Sequence, residues 1–438
     1  MNGPGEGPRR QWASAATQSS MNSPSQSDNP ASSTPLALYI HVPFCETKCP
    51  YCDFNTYARI EPLMKPYVTG VCRELALWGE TLGHPAVRTV FFGGGTPSYL
   101  GPEALRSIIE AAATAFDLGA VEEVTIECNP GDLTLERAQG LASLPYVDRL
   151  SIGVQAFQDH HLALLGRRHT SAEAVRAFGA VREAGFENVN LDFMFGLPGQ
   201  TLGEWRDTVE KACELRPEHL SLYGLTLEPG TPMEQWVRTG KTPDPDPDLG
   251  ADQFELARDM LRQAGYEHYE ISNWALPGLS SKHNLIYWRN EPYLGVGPGA
   301  HSYLEGHRFA DIKSPREYIR LVQAWRERGA RRQALDAQAL LALGPVSEAE
   351  AIDQSSEMGE TMMMGLRLSE GVSARTFATR FGVDLEDAFG PVIEEMVEFG
   401  LLERSGDVIR LTQEGQLLGN EVFQRFLVHD TTQFSHPV

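Results

Sequence analysis

The stretch HVPFCETKCPYCDFN, residues 41–55, sets three cysteines in a C-x3-C-x2-C array at Cys45, Cys49 and Cys52. Three thiolates leave a tetrahedral metal one ligand short, and an odd number does not close into disulfides. His41, four residues ahead of the first cysteine, could complete a zinc site of three sulfurs and one nitrogen. A cubane iron–sulfur cluster uses the number differently. Three of its four irons take a thiolate and the fourth keeps an open position, where an exchangeable ligand can chelate through an amine and a carboxylate. The spacing favours the cluster, with zinc as the alternative.

Outward from this array the chain alternates. LALYIHV precedes it, and VRTVFFGGG (87–95), EEVTIECNP (122–130), DRLSIGVQ (148–155), ENVNLDFMFGLPGQ and EHLSLYGLTLEPG follow as further β-type runs. Helical spacing separates them, as in EPLMKPYVTGVCRELALWGE, GPEALRSIIEAAATAF and TLGEWRDTVEKACEL. Six such β-runs over roughly 190 residues predict a parallel sheet with helices outside, an α/β fold. Polar or glycine-rich residues gather at the ends of these runs: the cysteines, Gly93–Thr96, Glu127, Gln155 and Asp192. In α/β folds ligands bind at the carboxyl ends of strands, so these residues are expected to share one site. For Glu127 and Asp192 a role as helix caps is the plainer alternative.

The cysteine array, with Tyr51 just before the third thiol, resembles the signature of the radical S-adenosylmethionine (SAM) superfamily. GGGTP after the second β-run is similar to the glycine stretch that receives the methionine amino group of SAM there. The resemblance spans residues 36–230 and implies a partial (β/α)6, TIM-like barrel, a [4Fe-4S] cluster on Cys45, Cys49 and Cys52, and SAM on the open iron. ALYIHVPFC, FFGGGTPS, TIECNP, SIGVQAF, LLGRRH and DFMFGLPGQ narrow it to the oxygen-independent coproporphyrinogen III oxidase-like subfamily. Carried over by position, Tyr39, Tyr51, Gly94, Gly95, Thr96, Glu127, Gln155, Arg167 and Asp192 are then the SAM-contacting residues. Glycines admit close backbone approach, the carboxylates can accept from ammonium or ribose hydroxyls, and Arg167 can pair with a carboxylate.

Two features depart from the oxidase. Its further cysteine, two residues after the third cluster ligand, is Phe54 in this chain. KHNLIYWRNEPYLGVGPGAHSY carries an H-N-x-x-Y-W motif, His283, Asn284, Tyr287 and Trp288, which resembles that of the oxidase's close paralogues, the HemW family of heme chaperones. This implies heme as a third bound group, handed on to an acceptor protein. His283 is the candidate axial ligand, with Tyr287, His301 or His169 as substitutes, while Tyr287 and Trp288 offer flat faces to a porphyrin. Radical oxidative decarboxylation of porphyrinogen propionates is the alternative function, and a zinc-bound interaction protein is a third.

Past residue 228 the alternation stops. The domains expected are a leader (1–35), a barrel (36–270), a heme-motif and linker region (271–345), and a mainly helical, winged-helix-like C-terminal domain (346–438). Its Met-rich EMGETMMMGLRL is expected to fill a core. The formal charge of −22 opposes non-specific nucleic-acid binding. No run approaches the roughly 20 apolar residues of a membrane span, although peripheral contact with a membrane-bound acceptor is compatible with the sequence. The leader has an Arg pair but no apolar stretch after it, and its Ser, Pro, Asn and Gly content predicts disorder. With no disulfide framework suggested by six scattered cysteines, a reducing cytoplasm is the expected compartment.

Overall fold

A computed structural model describes residues 35–328 and 335–427. The expected leader lies almost wholly outside the described residues. Six parallel strands form the centre of the molecule: β1 (Leu36–Val42), β2 (Val87–Gly94), β3 (Glu123–Cys128), β4 (Arg149–Gln155), β5 (Asn188–Phe195) and β6 (His219–Gly224). They pair in sequence order, β1 to β2 through to β6. Their outward residues, among them Leu38, Ile40, Val90, Phe92, Val124, Ile126, Leu150 and Ile152, are buried under the surrounding helices. The residues between them, among them Thr89, Thr125, Ser151, Asn190 and Ser221, are buried on the opposite, inner face, so the strands alternate apolar outside and polar inside.

The sheet continues on both flanks. Beyond β6 lie β7 (Glu267–Glu270) and β8 (Asn273–Ala275), with β8 antiparallel to β6. On the other flank β9 (Tyr293–Val296) pairs parallel to β1. It leads antiparallel into β10 (His301–Leu304), β11 (His307–Asp311) and β12 (Val346–Ala351). The twelve strands run in the order β12-β11-β10-β9-β1-β2-β3-β4-β5-β6-β8-β7. The open (β/α)6 unit is thus extended at its β1 edge by a segment from near residue 300.

Two helices that flank the barrel begin with reciprocal capping boxes. Thr170 with Glu173 caps Ser171–Glu183, and Thr201 with Glu204 caps Leu202–Leu215; both satisfy backbone N–H groups that a helix leaves open. Residues 354–427 build a second core around Met362, Leu366, Phe377, Phe389, Ile393 and Phe426. A three-stranded sheet, in the order 372–373, 408–411, 402–405, accompanies its helices. Met362 is buried there, and Met358 and Met363 pack against it, so the Met-rich stripe fills a core. A hairpin stands between helices near the C-terminus, at 402–411.

Candidate functional site

The loop after β1 brings the three thiols to the carboxyl end of the sheet. Phe44–Cys45 pairs with Tyr57–Ala58, folding the cysteine segment back on itself. Cys52 N–H donates to Cys49 O (3.2 Å). All three side chains are half-buried and face one cavity of about 520 Å3. Each has a polar neighbour: Thr96 Oγ1 donates to Cys45 Sγ at 3.6 Å, Arg167 Nη1 to Cys49 Sγ at 3.6 Å, and Thr56 Oγ1 lies 4.0 Å from Cys52 Sγ. Burial pushes the Cys45 and Cys52 thiols up, and the hydroxyl and backbone donors partly offset this.

The zinc alternative fits poorly. Among the described residues the one set of three or more metal-capable side chains whose ligand atoms all fall within 4.8 Å of one another is His160, His161 and Glu204, so the three sulfurs are spread more widely than that. A single zinc with Zn–S bonds of about 2.3 Å draws its ligands closer. The imidazole of His41 is also committed, with Nδ1 3.1 Å from Tyr39 Oη and Nε2 3.0 Å from Asn55 O. Three spread thiols opening on a cavity suit a multi-iron cluster.

The walls of this cavity hold Tyr51, Gly94, Gly95, Thr96, Glu127, Gln155, Arg167 and Asp192, eight of the nine residues expected to contact SAM. Tyr39, the ninth, borders an adjoining cavity. Gly95 is wedged under the cysteine loop. Its N–H donates to Val42 O (2.7 Å) and Thr96 N–H to Phe44 O (2.8 Å), and a methyl group at Gly95 would sit 2.6 Å from Phe44 O. Glu127 Oε2 accepts from Gly94 N–H at 3.2 Å. Burial, and then the nearby Asp192 carboxylate, push Glu127 up to about 8. Asp192 is itself raised by burial, though Asn190 Nδ2 (2.6 Å) and Ser151 Oγ (3.2 Å) donate to it. Arg167 Nη2 donates to Gly153 O (2.7 Å). Gln155 follows a register shift in β4 and has φ +72°.

Arg149, Ser151, Asn190, Ser221 and Tyr223 also line the cavity, and the sequence reading missed them. Their signal is parity. Arg149, Ser151, Gly153 and Gln155 alternate along one face of β4, as Asn190, Asp192 and Met194 do along β5. Arg149 is 2 % exposed, its one side-chain bond is Nη1 to Thr125 Oγ1 (3.4 Å), and its Nε is unpartnered. It sets a positive charge beneath the Glu127–Asp192 pair.

The H-N-x-x-Y-W motif forms the helix Lys282–Trp288, capped by Ser281 and by Glu123, whose carboxylate accepts from the Lys282 and His283 N–H groups. His283 is fully buried. Its Nδ1 lies 2.8 Å from Thr89 Oγ1 and its Nε2 2.9 Å from Tyr287 Oη, and its ring stacks on Phe91. Burial holds it down at about 3. Tyr287 packs edge-on against Tyr293, and the Arg367 guanidinium sits 4.4 Å over the Trp288 ring. None of the three borders the cysteine cavity or its neighbour; of this motif only Asn284 does. His169 is buried, with Nε2 3.0 Å from Val154 O.

The neighbouring cavity, also about 520 Å3, is lined by Tyr39, His41, Lys48, Asp53, Phe54, Asn55, Thr56, Tyr57, Gly94, Glu127, Gly299, His301 and Lys313. Phe54 is 64 % exposed and borders both cavities.

Residues 39–212 match the radical SAM superfamily model, and residues 352–418 match the HemN C-terminal domain. The chain is 37 % identical to the heme chaperone HemW of Bacillus subtilis, over 89 % of this chain and 99 % of that protein. It is 36 % identical to HemW of Escherichia coli (90 % and 98 %) and 35 % to the mitochondrial radical S-adenosyl methionine domain-containing protein 1 of Bos taurus (93 % and 91 %). The structure of coproporphyrinogen III oxidase (HemN) from Escherichia coli superposes with a TM-score of 0.75 over 90 % of each chain, at 21 % identity. That match establishes a shared fold alone. With full-length relatives above 30 % identity, the chain belongs to the HemW family of heme chaperones within the radical SAM superfamily.

Proposed function

We propose that this protein binds heme, carries a SAM-ligated [4Fe-4S] cluster, and passes heme to acceptor proteins. The observation that carries the reading is similarity to HemW proteins along nearly the whole chain. Phe54, where the oxidase has a further cysteine, supports it against coproporphyrinogen decarboxylation. No helix among the described residues is long and apolar enough to cross a membrane, so a membrane-bound acceptor would be met by surface contact.

Cys45, Cys49 and Cys52 would hold the cluster, and the eight cavity residues with Tyr39 would hold SAM. When bound, the cluster supplies an electron-rich iron to which SAM is chelated. The chain's own part is to orient and shield. Thr96, Arg167 and Thr56 give the sulfurs polar partners, Gly94 and Gly95 bring backbone close to the ligand, and Glu127 and Asp192 face its cationic and hydroxyl groups. His283, Tyr287 and Trp288 remain the sequence-derived candidates for heme. Ligation through His283 requires its ring to leave Thr89 or Tyr287.

The test is a heme titration of anaerobically prepared, cluster-loaded protein, followed by transfer to an apo-hemoprotein. Saturable binding with transfer is expected. Conversion of coproporphyrinogen III to protoporphyrinogen IX by the same preparation would overturn the chaperone reading in favour of the oxidase.

A further inference from the structure

We propose that His160, His161 and Glu204 form a binding site for a divalent transition metal of the zinc type, separate from the places of the cluster, SAM and heme. The two histidines stand in the first turn of the helix Asp159–Leu164, and Glu204 in the first turn of Leu202–Leu215. None of the three borders either cavity. One ligand atom from each falls within 4.8 Å of the other two. His160 Nε2 lies 3.2 Å from Glu204 Oε1, and His161 Nε2 lies 3.5 Å from Oε2. Zinc bonds of about 2.1 Å set tetrahedral ligand atoms about 3.4 Å apart, a value these two separations bracket.

His161 is the independent sign of a ligand. It is 2 % exposed, and among the described residues neither of its ring nitrogens has a hydrogen-bond partner. Buried polar groups left in that condition are few in folded proteins. Its ring centroid is 4.0 Å from that of His160, so two imidazoles converge on one carboxylate. A protonated His161 could pair with Glu204 instead, but burial, and then the neighbouring His160, lower its affinity for protons. The Thr201 N–H holds the Glu204 carboxyl below its usual range. His161 thus offers a lone pair and Glu204 a negative charge, the forms that ligate a metal.

The scaffold fixes these donors in advance. Glu204 Oε2 accepts from Thr201 N–H and from Thr201 Oγ1, both at 2.9 Å, in the capping box. That orients the carboxylate and leaves Oε1 for the ion. Gln158 Nε2 donates to Glu204 O (2.8 Å), and Thr208 Oγ1 to Gln158 Oε1 (3.0 Å), so the start of the histidine helix is tied to the helix bearing Glu204. Two imidazoles with one carboxylate suit zinc, whereas magnesium and calcium take oxygen shells. His160 is exposed, which leaves the fourth position to water. The chain then runs on to Arg167, whose N–H donates to Leu162 O (2.9 Å) and whose Nη1 donates to Cys49 Sγ (3.6 Å). An ion on the two histidines braces the turn that carries Arg167 to the thiols.

Zinc is titrated, against a competing chelator, into tag-free, cluster-loaded, SAM-saturated wild type, His160→Ala and Glu204→Gln. His160 is exposed, and glutamine can still close the capping box, so both variants are expected to fold. One equivalent is expected in wild type, held more than about ten-fold more tightly than in either variant, the lower end of what even an outer-shell change costs. X-ray absorption at the zinc edge is expected to show nitrogen and oxygen ligands, with no sulfur at about 2.3 Å. Zinc is also expected to raise the urea midpoint of wild type and leave those of the variants unmoved. Equal affinity in wild type and both variants, a sulfur shell at the zinc edge, or no saturable zinc in wild type would each overturn the site.

Discussion

Glu127 sits at the end of β3 with one backbone donor, the Asp192 carboxylate nearby and burial raising its pKa to about 8. Below that pH it is neutral in the empty site, and a cationic ligand has to displace its proton. SAM affinity, measured by isothermal titration on cluster-loaded protein, should therefore fall as pH drops from about 8 towards 6, by up to about ten-fold per unit. Glu127→Gln should flatten this profile. His283 makes the opposite kind of residue. Its ring joins Thr89, Tyr287 and Phe91, so His283→Ala strands two buried hydroxyls. Each costs about 1–3 kcal/mol, and a lowered urea midpoint is expected whatever happens to heme. At this scale the gathering of the cysteines, Gly94–Thr96 and Glu127 on one cavity was legible, because each lies at or just after the carboxyl end of a strand. The engagement of His283 was not, because Thr89 lies 194 residues away and only the packed fold joins them.

Elements with their own local signals were the easiest to read. The six barrel strands matched the β-type runs to within a few residues, since alternate residues of each are apolar and buried under the helices. The helix at Ser171 announces itself through Thr170 and Glu173. Thr170→Ala removes one partner of that capping box and should lower stability by about 1 kcal/mol, seen as a urea midpoint shift with unchanged iron content. The strands after residue 290 carried weaker signals. β12 reads VSEAEA and has one buried residue. It becomes a strand because β11 offers an edge to pair with, not through any pattern of its own. The reading that the chain turns mostly helical from 346 accordingly missed it.

Across the whole molecule, the second core is held to the barrel by charge as well as contact. Arg308 on β11 makes a two-pronged bond to Glu360, at 2.9 and 2.7 Å, and Arg380 reaches Glu357 and the carbonyls of Arg289 and Asn290. Arg367 bridges Glu270 and the Trp288 ring. A double-mutant cycle on Arg308→Ala and Glu360→Ala should give a coupling of about 1 kcal/mol that shrinks with added salt. The C-terminal unit was visible in the sequence as a change of pattern. Its attachment was not, because arginines on one segment and glutamates on another carry no mark of their pairing.

The pairing of β9 with β1, and of Asn55 with Pro298 243 residues later, also fixes an order of assembly. Synthesis runs from the N-terminus and domains form as their segments emerge. The thiol array and each strand end expected to hold SAM are complete by Asp192, while Gly299, His301 and Lys313 arrive more than a hundred residues later. A nascent chain halted before residue 293 would already display all three cysteines, with one flank of β1 unpaired and no wall on the far side of Phe54. The open flank of β1 closes only when the strand Tyr293–Val296 pairs with it, so the thiol array is complete before its far wall by the connectivity of the fold itself.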